Sequence, residues 1–213
     1  MNFFAHSVVA GRRSRAPRFV LGAMLPDLAS MIGVRVAHAG DSELARGIDL
    51  HHATDSAFHA APVFTGLCAS AISSLCDQGV GRGTARAVAH VGVELLLDGA
   101  LSGDAPERAL YAAALASAAD GGLSQGLTLA PPHELPRLSA GLARLAASEL
   151  PEAYRDAAFV VDRLRVILAR RPRLAMAEGD YEKVLEWAEA VQPSVLACSR
   201  ELLEHVVAHT RRD

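Results

Sequence analysis

Aromatic residues, cysteine and lysine are all scarce in this chain. Phenylalanine, tyrosine and tryptophan make up 5% of it, so alanine, leucine and valine must supply most of the packing, which favours closely spaced helices. Lysine occurs once, at Lys183. The three cysteines, Cys68, Cys76 and Cys198, form no C-x-x-C pair and are odd in number. Their spacing argues against a disulfide framework or a zinc knuckle and predicts a reducing compartment.

The sequence also lacks a long uninterrupted apolar run. Its most apolar stretch, residues 19–34, has Pro26 and Asp27 at the centre, which argues against a transmembrane helix. Near the N-terminus, the apolar segment precedes the arginines and is interrupted by His6, unlike a signal peptide. We therefore expect a soluble, cytoplasmic protein without a membrane span.

The chain has no net positive charge, and its acidic and basic residues are unevenly distributed along the sequence. The formal net charge is −3, and residues 19–134 contain twelve acidic residues against five arginines. Residues 1–18 contain four arginines and no acidic residue. Because most histidines also fall in the acidic segment, the pattern favours a cation site, and we expect no nucleic-acid partner.

Helical periodicity dominates the rest of the sequence. Apolar residues recur at spacings of three and four, and no alternating Val/Ile/Thr-rich segment is present. We predict an all-α fold, a single-domain helical bundle over residues 1–213, with capped helix starts at Asp41 and Ser42 and at Asp104. Pro193 is expected to kink or split the last helix, and residues 121–132 are predicted to form a loop. The predicted helices cover residues 17–33, 42–60, 62–78, 82–101, 105–120, 133–148, 151–170 and 179–209.

The segment GIDLHHATDSAFH, residues 47–59, is unusually rich in histidine and aspartate. On a helix, His51, Asp55 and His59 are spaced i, i+4, i+8 and lie on one face. An imidazole and a carboxylate one turn apart can hold one cation or two adjacent ones. His52 is also close to Asp55, so spacing alone does not choose between His51 and His52. The alternative is a solvated polar stripe.

A second helix repeats the same spacing. In VAHVGVELLLD, residues 88–98, the polar residues are His90, Glu94 and Asp98. Glu94 is surrounded by valine and leucine, where a carboxylate is costly unless it is paired or bound to a metal. Arg82 and Arg86 continue the spacing, so a salt-bridged amphipathic face is the alternative. Two such helices together indicate a helical metal-binding bundle.

Two polar residues in apolar surroundings complete the set of candidate ligands. Asp27 follows Pro26 in the apolar run and is either a ligand or a helix N-cap. His6, in NFFAHS, is either a ligand or a hydrogen-bonded core residue.

Four motifs occur in the same order as in a known family. They are MNFFAH at residues 1–6, G-x-x-x-x-D at 22–27, G-I-x-x-H-x-x-x-D at 47–55 and ARRPRL at 169–174. In these motifs the chain resembles the acyl carrier protein phosphodiesterase family, which is similar to the HD-type, all-helical, metal-dependent phosphohydrolases. The resemblance extends from Met1 to about Trp187. It implies an HD-like bundle that removes 4′-phosphopantetheine from holo-acyl carrier protein.

Carried over by position, the resemblance implies that His6, Asp27, His51 and Asp55 bind metal, and it favours His51 over His52. One departure affects the substrate assignment. Where the family has an adjacent Asp-His pair, this chain has Glu94 followed by Leu95, and His90 one turn earlier is the substitute for the missing histidine.

A second resemblance is weaker. H-x-x-x-D followed by H-x-x-x-E, with G-x-x-x-P-D upstream, is similar to the zinc-dependent phospholipase C and S1-type nuclease group. Those enzymes use more histidines and an N-terminal tryptophan, whereas this chain starts Met-Asn-Phe and its one tryptophan is Trp187.

Both resemblances imply metal-assisted phosphodiester hydrolysis. We expect one or two divalent cations, Mn²⁺, Mg²⁺ or Fe, with Zn²⁺ as the alternative, because the ligands are oxygen-rich and contain no thiolate. Asp27, His59 and Asp98 are the candidate catalytic residues, the last two for proton transfer or ligand support. A non-catalytic helical binding protein is the rival from another class. The expected metal ligands are His6, Asp27, His51, Asp55, His90 and Glu94. If the substrate is acyl carrier protein, its docking surface is expected to be Arg12, Arg13, Arg15 and Arg18; the alternative is that these arginines line a solvated loop.

Overall fold

The computed structural model describes residues 1–119, 123 and 126–210. Within these residues the regular structure is almost entirely α-helical, which confirms the predicted all-α class. The chain divides into two compact units. The first unit comprises the described residues of Met1–Ala57, Asp104–Leu150 and Val206–Asp213, and the second comprises Phe58–Gly103 and Pro151–His205. The single HD-like domain over residues 1–213 stays a prediction.

Nine α-helices and two short strands are assigned in the described part of the chain. Two 3₁₀ helices are also present: Pro132–Glu134 precedes the α-helix Leu135–Ala146, and Glu152–Arg155 precedes the α-helix Ala157–Ala169. In chain order the elements are α1 Phe3–Gly11, α2 Pro17–Met31, β1 Arg35–Ala39, α3 Ser42–Ala60, α4 Pro62–Asp77, α5 Arg82–Leu101, α6 Ala105–Ala116, β2 Leu127–Ala130, α7 Leu135–Ala146, α8 Ala157–Ala169 and α9 Asp180–His209.

The core of the first unit is built on α1, α2 and α6. Residues 3–10 of α1 are all buried, because this helix is apolar on nearly every side. Phe3 and Phe4 pack against Tyr111 of α6, with ring centroids 6.2 and 5.3 Å away. His6 lies in the middle of α1, so its imidazole is placed inside the core.

Two glycines bring α2 and α3 into backbone contact. A Cβ atom at Gly47 would lie 2.2 Å from the carbonyl oxygen of Phe19, and one at Gly22 would lie 2.4 Å from that of Leu44. Only glycine fits at such a distance. These are the glycines that open the two G-containing motifs of residues 22–27 and 47–55. Their contact fixes α3 against α2 and so determines where the polar residues of α3 lie.

Asp41 caps α3 and ties its start to α2. Its Oδ1 accepts a hydrogen bond from the Leu44 backbone N–H at 2.9 Å, and its Oδ2 accepts one from Arg18 Nε of α2 at 2.7 Å. Asp104 caps α6 in the same way by accepting from the Glu107 N–H. Both predicted caps are therefore confirmed.

In the second unit, α5 packs against α4, α8 and the 3₁₀ helix Glu152–Arg155. Small residues again allow close approach. A Cβ atom at Gly92 would lie 2.7 Å from the Trp187 ring, and one at Gly99 would lie 2.2 Å from the Tyr154 carbonyl oxygen. These two contacts fix α5, the helix that carries His90 and Glu94, against its neighbours.

Three local features differ from the sequence predictions. α1 has no predicted counterpart, because nine residues that are apolar all round show no amphipathic period. β1 and β2 form a small antiparallel sheet, with Val36 opposite Leu129, which the sequence analysis missed because each strand has at most five residues. α9 continues through Pro193 as one helix, so the predicted split does not occur, because a long helix tolerates the loss of one internal hydrogen bond; the alternative, a kink, stays a prediction.

The predicted loop at residues 121–132 is tested only in part. Residues 121, 122, 124 and 125 lie outside the described residues, and β2 occupies Leu127–Ala130. Among the described helices, none is by itself long and apolar enough to cross a membrane, although α3 and α4 together, as a bent pair, meet that length and composition.

Candidate metal centres

The first unit brings His6, Asp27 and His51 together. One potential ligand atom from each of these side chains lies within 4.8 Å of the other two. His6 Nε2 is 3.7 Å from Asp27 Oδ2 and 3.9 Å from Asp55 Oδ1. The His6 and His51 rings stack with their centroids 4.0 Å apart. We call His6, Asp27, His51 and Asp55 the first group; it contains the four residues to which the resemblance pointed.

Thr54 sets the tautomer of His6. The Thr54 hydroxyl lies 2.9 Å from the carbonyl oxygens of Leu50 and His51, and its one proton is donated to them. Thr54 Oγ1 is also 3.0 Å from His6 Nδ1; with its proton donated to the carbonyl oxygens, the hydroxyl accepts here, and we assign the His6 proton to Nδ1. His6 Nε2 is then an unprotonated nitrogen. It is buried and has no hydrogen-bond partner among the described residues.

The carbonyl oxygen of Ala23 does the same for His51. His51 Nδ1 lies 3.0 Å from this oxygen, which can only accept, so the proton is again on Nδ1. The second nitrogen of His51 therefore also presents a lone pair. A ring N–H fixed by a backbone carbonyl or another acceptor is the usual support of a metal-binding histidine.

Burial keeps both imidazoles neutral. It lowers the pKa of His6 well below its ordinary value, with a further contribution from neighbouring His51. Burial likewise lowers the pKa of His51 to about 4, against the opposing effect of the bond to Ala23. Near neutral pH, two uncharged nitrogen donors thus lie beside two carboxylates, without proton competition for the nitrogens.

The two carboxylates of the first group come from different helices. Asp27 lies inside α2, so it is not the N-cap that the sequence left open, and its side chain is 26% exposed. Asp55 lies on α3, one turn after His51, and its Oδ1 accepts a hydrogen bond from the α-amino group of Met1 at 3.0 Å. Exposed His52 lies outside the group.

The second unit holds another group, His59, His90 and Glu94. His59 Nε2 and His90 Nε2 are each 3.2 Å from Glu94 Oε1. The two rings stack with their centroids 4.7 Å apart, and Phe64 packs edge-on against both. Glu94 is 14% exposed and His90 is 47% exposed, so the group is open to solvent on the His90 side. We call these three residues the second group.

Glu94 is ionised in spite of its burial. Burial raises the pKa of its carboxyl, but the hydrogen bonds from His59 and His90 outweigh this effect and lower the pKa to about 2. Cys68 lies nearby on α4; burial, and secondarily the Glu94 charge, raise the pKa of its thiol to about 11. Without metal, Cys68 is therefore a protonated thiol at neutral pH. The ligand atoms of the second group itself are nitrogen and oxygen.

The structure divides the six predicted ligands between the two units. His6, Asp27, His51 and Asp55 lie in the first, and His90 and Glu94 lie in the second. His59, predicted to transfer protons or support a ligand, is itself part of the second group. Asp98 is fully buried in α5, and its predicted catalytic role stays a prediction.

Most of the predicted arginine surface is engaged with its own unit. Arg13 donates to Thr210 at 3.3 Å, and Arg15 donates to the Pro106 carbonyl at 3.2 Å. Arg18 pairs with Asp41. The docking role of these arginines, with Arg12, stays a prediction.

Sequence reasoning missed Thr54. A threonine in the interior of a helix carries no signal of its own, and its contact with His6 joins residues 48 positions apart.

A comparison of the chain with protein-family models, curated proteins and solved structures finds no match.

Proposed function

We propose that this protein is a metal-dependent phosphodiester hydrolase centred on the first group. The observation that carries the proposal is the state of the two histidines. His6 and His51 are buried and neutral, their protons are held on Nδ1, and their remaining nitrogens lie beside Asp27. An imidazole needed only for packing has no reason to keep a buried nitrogen without a hydrogen bond, which is costly. A bound cation accounts for it.

The donor set indicates the kind of cation. Two imidazole nitrogens and two carboxylate oxygens favour Mn²⁺ or Fe²⁺ over Mg²⁺, which prefers oxygen ligands and retains its waters. Two ligand atoms about 2.1 Å from one ion lie between about 3.0 and about 4.2 Å apart, and the separation of 3.7 Å between His6 Nε2 and Asp27 Oδ2 falls in this range. Asp55 Oδ1, 3.9 Å from His6 Nε2, accepts from the Met1 amino group and would have to exchange that partner for the ion. A cation held by these residues would lower the pKa of a bound water and polarise a phosphoryl oxygen of the substrate.

The residues of the chain then have distinct roles. His6 and His51 supply neutral donors whose orientation is fixed by Thr54 and Ala23. Asp27 and Asp55 supply negative charge, and both are partly exposed, so the solvent side of the group is the carboxylate side. Substrate therefore approaches past the carboxylates, and either aspartate can accept a proton from an attacking water.

The substrate assignment rests on the sequence resemblance. We propose a phosphodiester in the cytoplasm, with the 4′-phosphopantetheine link of holo-acyl carrier protein as the first choice. Acyl carrier protein is acidic, and Arg12 and Arg13 are exposed arginines that an acidic partner can contact. A phospholipid diester is the alternative substrate, from the weaker resemblance.

Adjacent histidines on α3 provide the test. Protein purified without chelators or affinity metal is assayed for Mn, Fe and Zn content and for hydrolysis of bis(p-nitrophenyl) phosphate. His51→Ala is expected to lose one bound ion per chain and at least 100-fold in rate. His52→Ala, which removes an exposed imidazole from the next residue, is expected to change neither. Equal rates and equal metal content in wild type and His51→Ala would refute the proposal.

The substrate is tested separately by mass spectrometry of holo-acyl carrier protein incubated with the Mn²⁺-loaded protein. We expect the mass of the carrier to fall by that of the phosphopantetheine group. An unchanged mass beside hydrolysis of the generic diester would reject acyl carrier protein and leave the hydrolase class intact. Absence of any bound ion, with no rise in melting temperature on adding Mn²⁺, would favour the non-catalytic helical binding protein.

A further inference from the structure

We propose that His59, His90 and Glu94, the second group, form a metal site of their own, a two-histidine, one-carboxylate site for a first-row transition metal such as Zn²⁺ or Fe²⁺. This site is complete within the second unit. It differs from the expectation that His90 and Glu94 join the ligands of the first group and that His59 transfers protons. It does not rest on the hydrolase activity proposed above.

The spacing of the three ligand atoms fits one ion. Ligand atoms about 2.1 Å from a metal lie about 3.0 Å apart in octahedral and about 3.4 Å apart in tetrahedral coordination. The two nitrogen–oxygen separations in the second group are both 3.2 Å, and the third separation is within 4.8 Å. A cation at this position would replace the hydrogen bonds that His59 and His90 make to Glu94 Oε1.

The surroundings hold the two imidazoles in place. Stacking aligns the His59 and His90 rings within 23° of each other, and both Nε2 atoms face the same carboxylate oxygen. Phe64 packs edge-on at 5.4 Å from each ring. Three helices thus contribute, because His59 lies in the last turn of α3, Phe64 belongs to α4 and the other two ligands belong to α5. Such support is typical of a site that is formed before the ion binds.

The chemistry of the ligands selects the metal class. Two imidazoles with one carboxylate are the protein ligands of non-haem Fe²⁺ sites and of several catalytic Zn²⁺ sites, and they leave coordination positions for water or substrate. The half-exposed side chain of His90 places those positions toward solvent.

Metal stoichiometry tests the inference on the full chain. Apo protein, prepared with a chelator and dialysed, is loaded with Zn²⁺ or Co²⁺, and bound metal is measured together with the Co²⁺ visible spectrum. We expect two ions per chain in wild type and one in His90→Ala. Glu94→Gln, which keeps the size of the side chain, is expected to lose the same ion. His133→Ala removes a surface imidazole from the first unit and is expected to retain both ions.

The possible outcomes separate this inference from the proposed function. One ion in wild type that His90→Ala loses and His51→Ala retains supports the second site and overturns the first. One ion that only His51→Ala loses overturns the second site. One ion lost in both variants indicates a shared centre and also overturns the inference. Circular dichroism of each metal-free variant identifies unfolding, and if His90→Ala unfolds, the stoichiometry of Glu94→Gln decides.

Discussion

Replacing Gly47 with alanine should damage the fold and the first group together. The new Cβ atom would lie 2.2 Å from the Phe19 carbonyl oxygen and 2.8 Å from the Ala23 amide nitrogen. Ordinary contact needs more than 3 Å, so α2 and α3 must separate by roughly 1 Å. Overpacking of this kind costs about 1–3 kcal/mol or more, and alanine recovers up to about 1 kcal/mol through its helix propensity. We expect the free energy of unfolding to fall by about 2 kcal/mol.

The same displacement affects the ligands. A shift of roughly 1 Å is enough to lengthen the bond between His51 Nδ1 and the Ala23 oxygen from 3.0 Å to beyond hydrogen-bonding distance. Loss of a bond that orients a metal-binding histidine typically weakens metal affinity by about 10- to 100-fold. Metal affinity of the folded variant, measured by titration with the second group disabled by His90→Ala, should fall by that factor.

Gly66 provides the matched control. It lies in the interior of α4, and a Cβ atom added there meets nothing within 4 Å. Gly66→Ala should therefore raise the free energy of unfolding by up to about 1 kcal/mol. Urea denaturation followed by circular dichroism measures both variants. If Gly47→Ala is as stable as Gly66→Ala and binds metal as tightly as wild type, the backbone contact of α2 with α3 does not position the site.

Three further predictions concern the first unit. Asp41→Ala should lower the free energy of unfolding by about 1–2 kcal/mol, and Asp41→Asn, which retains an acceptor for the Leu44 N–H, should recover most of the loss in thermal melts. In metal-free protein, the free energy of unfolding should fall by about 3 kcal/mol as the pH is lowered from 6.5 toward about 4, because unfolded His51 binds a proton in this range and folded His51 does not. Urea titrations across this pH range should show the decrease, and His51→Asn should lack this part of the pH dependence. Thr54→Val should weaken metal binding by about 10- to 100-fold because it removes the hydroxyl that accepts from His6 Nδ1. Thr54→Ser keeps the hydroxyl and should bind metal as wild type does. Equal metal affinity in the valine and serine variants would contradict the assigned tautomer.

Local spacing predicted the helical class and much of each candidate group. A four-residue interval placed His51 with Asp55, and His90 with Glu94, on one helix face, and the structure retains both pairings in space. The interval contains no information on which helices meet. His59 was predicted to transfer protons or to support a ligand; the packing of α4 and α5 places it against Glu94, a contact that the spacing within α3 does not show.

The remaining features depend on long-range contacts or on very short elements. α1 is apolar all round, so periodicity does not detect it, and the burial of His6 depends on its packing against α2 and α6. The β1–β2 pair joins segments about ninety residues apart in sequence. Gly22 and Gly47 belong to motifs that the sequence reveals, but neither motif indicates that the two glycines bring the backbones of α2 and α3 into contact.

Trp187 gives the second unit an optical signal of its own. It is the only tryptophan in the chain, and it is buried against Gly92, which lies between His90 and Glu94 on α5. Any rearrangement of α5 alters the surroundings of that indole. The fluorescence of Trp187 therefore reports on α5, the helix that carries two of the three second-group residues. No label is needed, and no other tryptophan contributes to the signal. A paramagnetic or coloured ion such as Co²⁺ can be followed by its effect on this one fluorophore during a titration.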